Sequence, residues 1–330
     1  MKTPFWFLKK NIVALVLTPA SLIYFIFAKS VYIYRLFRQK MSKRPGNSVP
    51  VICVGNIMAG GVGKTPIVRE IAGFLANSAI VMRGYGAANS HKNSNLRVRA
   101  TDFAMDVGDE PKMLSDCGFS VFVGKDRVLS LKMAEKAGFS YIVMDDGFQN
   151  PSVKKSVSLL VFDEKIGVGN GFMLPAGPLR EPLRCGLRRA DAIIVISDTL
   201  DNNALCLMPY ALKKPVFLAK KDTINPGLFG KVVAFSGIGY PDKFFDSVRG
   251  MNKVRVIETV SFPDHYEYKR QDFINLFKLA KKHGAELVCT EKDWVKFPEN
   301  IKKKIKYAPL VVKIEPDFYD WLADKVKEVK

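Results

Sequence analysis

The dodecapeptide GNIMAGGVGKTP, Gly55 to Pro66, lies between an apolar run, VPVICVGN, and an amphipathic stretch, TPIVREIAGFLAN. A buried strand that turns through glycines straight into a helix restricts the chain to folds in which strand and helix pack in layers. The glycines let successive backbone N–H groups converge, and the helix N-terminus adds its own unpaired donors, so the turn is suited to an anion such as phosphate. A full phosphate loop reads G-x-x-x-x-G-K-[ST]. Gly63, Lys64 and Thr65 match its end, whereas Met58 occupies the place of the first glycine and Gly60 and Gly61 stand in for it. In a nucleotide-binding loop formed by Gly60, Gly61, Val62, Gly63, Lys64 and Thr65, the lysine would neutralise the β and γ phosphates of ATP. The threonine hydroxyl would ligate Mg²⁺, and Pro66 falls early in the helix, where its missing N–H costs little.

The same alternation continues downstream. AIVMRG (79–84), SVFVGK (120–125), YIVMDDG (141–147), VSLLVFD (157–163) and DAIIVIS (191–197) read as buried strands, with helix-length segments such as RVLSLKMAEKAG between them. Strands alternating with helices predict a parallel sheet covered on both faces, with its site beyond the carboxyl ends of the strands. After PVFLAKKD (215–222) and the turn-rich TINPGLFG comes a second series, KVVAFSGIG, VRVIETVSFP, AELVCTEKD and PLVVKIE, which predicts a smaller α/β domain. The expected boundaries are an N-terminal helix over 1–45, a phosphate-loop domain over 46–222 and the smaller domain over 226–330. At the end of YIVMDDG, Asp145 and Asp146 form an acidic pair placed to hold Mg²⁺ directly or through water; two acidic residues at a strand end are common, and the phosphate loop is what gives this pair meaning.

The first 45 residues differ in kind. No charged residue occurs from Asn11 to Ala28, Lys9 and Lys10 precede the run, and Lys29, Arg35, Arg38, Lys40, Lys43 and Arg44 follow it; the first acidic residue of the chain is Glu70. Basic flanks with Trp6, Tyr24, Tyr32 and Tyr34 interleaved suit a helix in the interface of an anionic membrane, and Pro19 is expected to kink it. The length also reaches the lower limit for spanning. A signal peptide is disfavoured because no cleavage site follows Ala28 and a nucleotide-using domain comes next; a buried core helix is the remaining reading.

The formal net charge of +19 predicts attraction to polyanions without choosing among nucleic acid, lipid and phosphorylated substrates. No helix-turn-helix, zinc-finger or aromatic RNA-binding pattern supports nucleic acid, and the lysine-rich pieces KLAKKHG, IKKKIK and KVKEVK read as solvated helix faces. Five scattered cysteines without a C-x-x-C pair fit a reducing compartment rather than a disulfide or zinc framework.

Eight segments occur in order: VGNIMAGGVGKTP, RGYG, VGDEP, DDGFQ, LPAGPLREP, FSGIGYPDKFF, FPDHYEY and TEKDWVKF. Together they resemble the tetraacyldisaccharide 4'-kinases, the lipid A 4'-kinases of Gram-negative bacteria. The resemblance implies transfer of the γ-phosphate of ATP to the 4'-hydroxyl of an acylated glucosamine disaccharide 1-phosphate at the cytoplasmic face of the inner membrane. It also implies a phosphate-loop kinase-like α/β/α domain joined by a hinge to a smaller α/β domain, with the nucleotide in the cleft, and a monomer is expected. By the same resemblance Asp109 of GDEP is the catalytic aspartate, paired with His265 of PDH, Lys64 and Thr65 serve phosphate and metal, and Asp145 and Asp146 lie near Mg²⁺. Gln149, Arg180 and Glu181 are candidate contacts to the lipid headgroup, although an Arg–Glu pair could equally hold the loop together. Family members often carry a second histidine where this chain has Tyr266. His91 and His283, on a polar loop and a lysine-rich helix, read as solvent-exposed. The competing reading is an ATPase of the partitioning and targeting type, whose loop also ends G-G-V-G-K-T but places a lysine where this chain has Ala59.

Overall fold

A computed structural model describes residues 5–7, 11–41, 47–84, 94–197, 214–264 and 266–328. The chain forms two compact units, one of residues 1–83, 120–220 and 312–330 and the other of residues 84–119 and 221–311. In chain order the elements are α1 (Ile12–Met41), β1 (Val51–Gly55), α2 (Lys64–Phe74), β2 (Ser78–Met82), β3 (Leu96–Arg97), α3 (Ala104–Val107), α4 (Asp109–Asp116), β4 (Ser120–Val123), α5 (Arg127–Lys136), β5 (Tyr141–Asp145), β6 (Val157–Asp163), α6 (Leu183–Arg189) and β7 (Ala192–Ser197). There follow β8 (Val216–Thr223), β9 (Gly230–Ser236), α7 (Pro241–Arg249), β10 (Val254–Ser261), α8 (Arg270–His283), β11 (Glu286–Thr290), α9 (Glu291–Trp294), α10 (Glu299–Lys302), β12 (Lys306–Ala308), β13 (Leu310–Ile314) and α11 (Pro316–Lys327).

In the first unit the strands lie in the order β13-β8-β7-β6-β1-β5-β2-β4. β1 sits between β6 and β5 and pairs with both in parallel. All five β1 residues are buried, as are all seven of β6 and all six of β7, because helices cover both faces and leave no solvated side to alternate toward. The register sets Val54 of β1 beside Asp145 of β5, so the glycine-rich loop and the acidic pair leave the sheet at the same carboxyl edge.

Two segments differ from the expected boundaries. PLVVKIE, expected in the smaller domain, becomes β13 and lies beside β8 at the edge of the larger sheet. The reason is the helix after it: Phe318 of α11 is fully buried, and its ring and that of Trp321 stand 5.3 and 5.4 Å from the ring of Phe217 in β8. Tyr319 of the same helix donates its hydroxyl to Glu70 of α2. The fourth strand of the smaller sheet is instead β12, in the order β10-β9-β11-β12, all parallel. Residues 84–119, expected in the phosphate-loop domain, belong to the second unit.

α1 is a continuous helix through Pro19. It is tied to the first unit along a narrow line: Ser21 Oγ donates to the Met173 carbonyl at 2.8 Å and accepts from the Ala176 amide at 3.2 Å, and Trp6 Nε1 donates to the Pro175 carbonyl at 2.9 Å. Elsewhere Ile12, Val16, Leu22, Ile23, Ile26 and Phe27 are each more than half exposed. That exposure excludes the core-helix reading, and it leaves an apolar surface of a size that soluble domains rarely present to water.

Candidate active site

Each unit gathers charged side chains at the carboxyl ends of its strands. In the first, the loop after β1 turns through Gly60 and Gly63, both with left-handed φ (106° and 82°), and Lys64 opens α2 with Thr65 behind it. At Gly63 a side chain would be strained by φ and would also press on Ile196, 2.9 Å from where its Cβ would stand. Gly60 and Gly61 are exposed, whereas Val62 is buried and anchors the loop. No side chain caps α2, so its first N–H groups remain available to a ligand.

Lys64 Nζ lies 3.3 Å from Asp146 Oδ1, and Arg180 Nη1 lies 3.4 Å from Asp146 Oδ2. Burial pushes the Asp146 carboxyl up, but the two cations outweigh it and hold the group below the usual carboxylate range. Asp146 also adopts a left-handed φ of 49°, which turns its side chain off the axis of β5 while its N–H donates to the Val54 carbonyl. The next residue must be glycine: a methyl at Gly147 would collide with the Met144 side chain and stand 3.2 Å from Cys53 Sγ. Asp145, the last residue of β5, is buried.

The segment 174–182 lies against the glycine loop. The Ala59 amide donates to the Pro178 carbonyl and the Arg180 amide to the Ile57 carbonyl, both at 2.7 Å. Arg180 and Glu181 do not pair with each other. Arg180 reaches Asp146, while Glu181 accepts from Arg189 Nη2 at 2.7 Å and from Gln149 Nε2 at 3.2 Å; Gln149 also donates to the Asn56 carbonyl at 2.7 Å. All three residues singled out in the sequence as headgroup contacts are therefore built into one network beside the phosphate loop.

In the second unit Asp109 is the first residue of α4, entered through Gly108 with φ 101°. Lys296 Nζ stands 3.4 Å from Asp109 Oδ2 and 3.6 Å from Asp293 Oδ1. Asp293 has no exposed surface, and its Oδ2 accepts from Ser236 Oγ, the Gly237 amide and Thr290 Oγ1 at 3.1, 3.0 and 2.6 Å. Lys296 and Asp293 belong to TEKDWVKF, yet sequence reasoning gave neither a role; an acid and a lysine three residues apart were the available signal. His265 lies outside the described residues, as does His91. His283 is partly exposed at the end of α8, 3.6 Å from Glu258.

With this geometry in place, comparison with known proteins is direct. The family model of the tetraacyldisaccharide-1-P 4'-kinases matches residues 13–327. A tetraacyldisaccharide 4'-kinase of Phenylobacterium zucineum is 41% identical over 79% of this chain and 80% of its own length, and one of Rhodospirillum rubrum is 35% identical over 99% of this chain and 98% of its own. A crystal structure of LpxK from Aquifex aeolicus in complex with ATP superposes with a TM-score of 0.74 at 26% identity, covering 96% of this chain and all of that one. The match along nearly the whole length displaces the partitioning-ATPase reading: the chain belongs to the tetraacyldisaccharide 4'-kinase family, and it is a lipid kinase with the mixed α/β, parallel-sheet architecture of that family.

Proposed function

We propose that the chain transfers the γ-phosphoryl group of ATP to the 4'-hydroxyl of a tetraacylated glucosamine disaccharide 1-phosphate. The observation that carries this reading is the convergence of Lys64, Asp146 and Arg180 at the carboxyl edge of β1 and β5, beside an uncapped helix N-terminus. Phosphoryl transfer needs the phosphate chain positioned and its developing charge neutralised, and little covalent chemistry from the protein. In this reading the backbone from Gly60 to Gly63 cradles the phosphates, and Lys64 exchanges part of its contact with Asp146 for phosphate oxygens.

Mg²⁺ fits the residues present. Among the described residues no three His, Cys, Asp or Glu side chains converge to cage a metal. Asp145, Asp146 and the Thr65 hydroxyl are hard oxygen donors suited to a cation that completes its shell with phosphate oxygens and water. Those three residues would hold it, and when bound it would neutralise charge on the transferring group. In the second unit Asp109, with His265, would take the proton of the attacking hydroxyl. Gln149, Arg180 and Glu181 would face the lipid headgroup.

The exposed apolar side chains of α1, with the basic residues that follow them, would hold the enzyme at the cytoplasmic face of the inner membrane, where the acylated substrate resides. Removing residues 1–41 is expected to abolish co-sedimentation with vesicles containing anionic lipid; truncated protein that still binds, insensitively to salt, would refute that role for the helix. The activity itself is tested by incubating purified full-length protein with γ-labelled ATP, Mg²⁺ and detergent-dispersed disaccharide 1-phosphate. A labelled bis-phosphorylated lipid is expected, and release of inorganic phosphate without labelled lipid would overturn the proposal.

A further inference from the structure

The cluster around Lys296 carries a second step of argument, which rests on Asp109 being the base. Lys296 is 11% exposed and Asp109 15%, while Asp293 has no exposure at all, so these charges are largely withdrawn from water and weakly screened. The Asp293 carboxylate already receives three neutral donors on Oδ2, from the ends of β9 and β11, and this fixes it as a rigid anchor. Its other oxygen faces Lys296, which reaches past it to two further oxygens: Asp109 Oδ2, and the carbonyl of Tyr266 at 3.4 Å. Tyr266 is the residue after His265.

We propose that Lys296 is a positioning residue for phosphoryl transfer: anchored on Asp293, it fixes the Asp109 carboxylate and the backbone next to His265 in the relation that proton removal requires. Gly237 is part of the device. A Cβ there would stand 3.2 Å from Asp293 Oδ1, the Pro263 carbonyl and Tyr266 Cβ, so only glycine lets the strand end approach the anchor without displacing it. A salt bridge that merely joined α4 to α9 would need the ammonium and Asp109; it would not need a second, fully buried carboxylate together with the main chain beside the histidine. A misplaced general base loses rate steeply with distance, whereas nucleotide affinity set by the loop after β1 is independent of it.

The test uses the full-length enzyme. Lys296→Met is expected to lower kcat at least tenfold with KM for ATP within twofold of the parent, and Lys296→Arg to recover most of the loss. The variant Asp109→Asn combined with Lys296→Met is expected to be no slower than Asp109→Asn alone, because Lys296 acts through Asp109. Unchanged kcat in Lys296→Met, or two losses that multiply in the double variant, would overturn the proposal. If Lys296→Met does not yield folded protein, Asp293→Asn decides: it keeps the oxygen that accepts the three donors and removes the anchoring charge, so kcat should drop severalfold, and full turnover would count against the anchor. The outcomes separate from the reading beneath them. Full turnover in Asp109→Asn removes the base assignment itself, whereas an inactive Asp109→Asn beside a fully active Lys296→Met leaves that assignment intact and sinks the role of Lys296 alone.

Discussion

Replacing Lys64 by alanine is expected to lower kcat about 10²- to 10³-fold, roughly 2.7–4 kcal/mol of transition-state stabilisation, the range found when one preorganised electrostatic donor is removed. The ammonium opens α2 and is only 12% exposed, so it meets developing charge in a site where water screens little. The loss should not come from unfolding. Asp146 keeps Arg180 as a partner when Lys64 is gone, and the carboxylate is 24% exposed, so the cost to stability is limited to about 1 kcal/mol and visible as a small change in melting temperature. Arginine at position 64 should not rescue the rate, since a planar fork cannot take the place of a compact ammonium at a tight glycine turn. Single-turnover measurement with saturating ATP checks the point. Turnover within threefold of the parent would remove Lys64 from the reaction.

The strands that position this site could be read from sequence because their signal is local. VPVICVGN, YIVMDDG, VSLLVFD and DAIIVIS are continuous apolar runs between turn-formers, and each becomes a strand buried on both faces. What the runs do not encode is which sheet edge an ambiguous strand joins. PLVVKIE follows the smaller domain's strands directly, and only the packing of Phe318 and Trp321 on Phe217, about a hundred residues earlier, takes it to the larger sheet. Residues 84–119 change units for the same kind of reason: they are bracketed by strands of the first unit, but α4 carries Glu110 to within 3.9 Å of Lys292 in the second.

The site divides along the same line. Lys64, Asp145 and Asp146 were legible because a phosphate loop and an acidic strand end each have a short, local pattern. The partners were not. Arg180 reaches Asp146 from 34 residues away, and nothing in GPLREP distinguishes an arginine aimed at a headgroup from one aimed at a carboxylate. The Arg–Glu pair that adjacency suggested is replaced by Arg180 with Asp146 and Glu181 with Arg189, because neighbouring residues in an extended segment point to opposite sides. Lys296 was invisible for a different reason: among so many basic residues in a chain of charge +19, a single lysine carries no signal until its surroundings are known.

Asparagine in place of Asp109 is expected to lower kcat about 10²- to 10⁴-fold, the usual worth of a positioned general base, with KM for ATP nearly unchanged. The substitution is chosen so that little else changes. Asp109 stands at the start of α4, where a carboxylate also interacts favourably with the helix N-terminus; losing that charge costs about 0.3–1 kcal/mol, too little to unfold the domain. The amide retains the shape and an oxygen that can still accept from Lys296, 3.4 Å away, so the surrounding cluster should persist. What the amide cannot do is accept a proton from the attacking hydroxyl. A fall in turnover with ATP affinity and melting temperature preserved therefore isolates proton removal from nucleotide binding and from folding. Should KM for ATP instead rise in parallel with the loss of kcat, Asp109 would be serving the nucleotide, and the acceptor hydroxyl would need a different base.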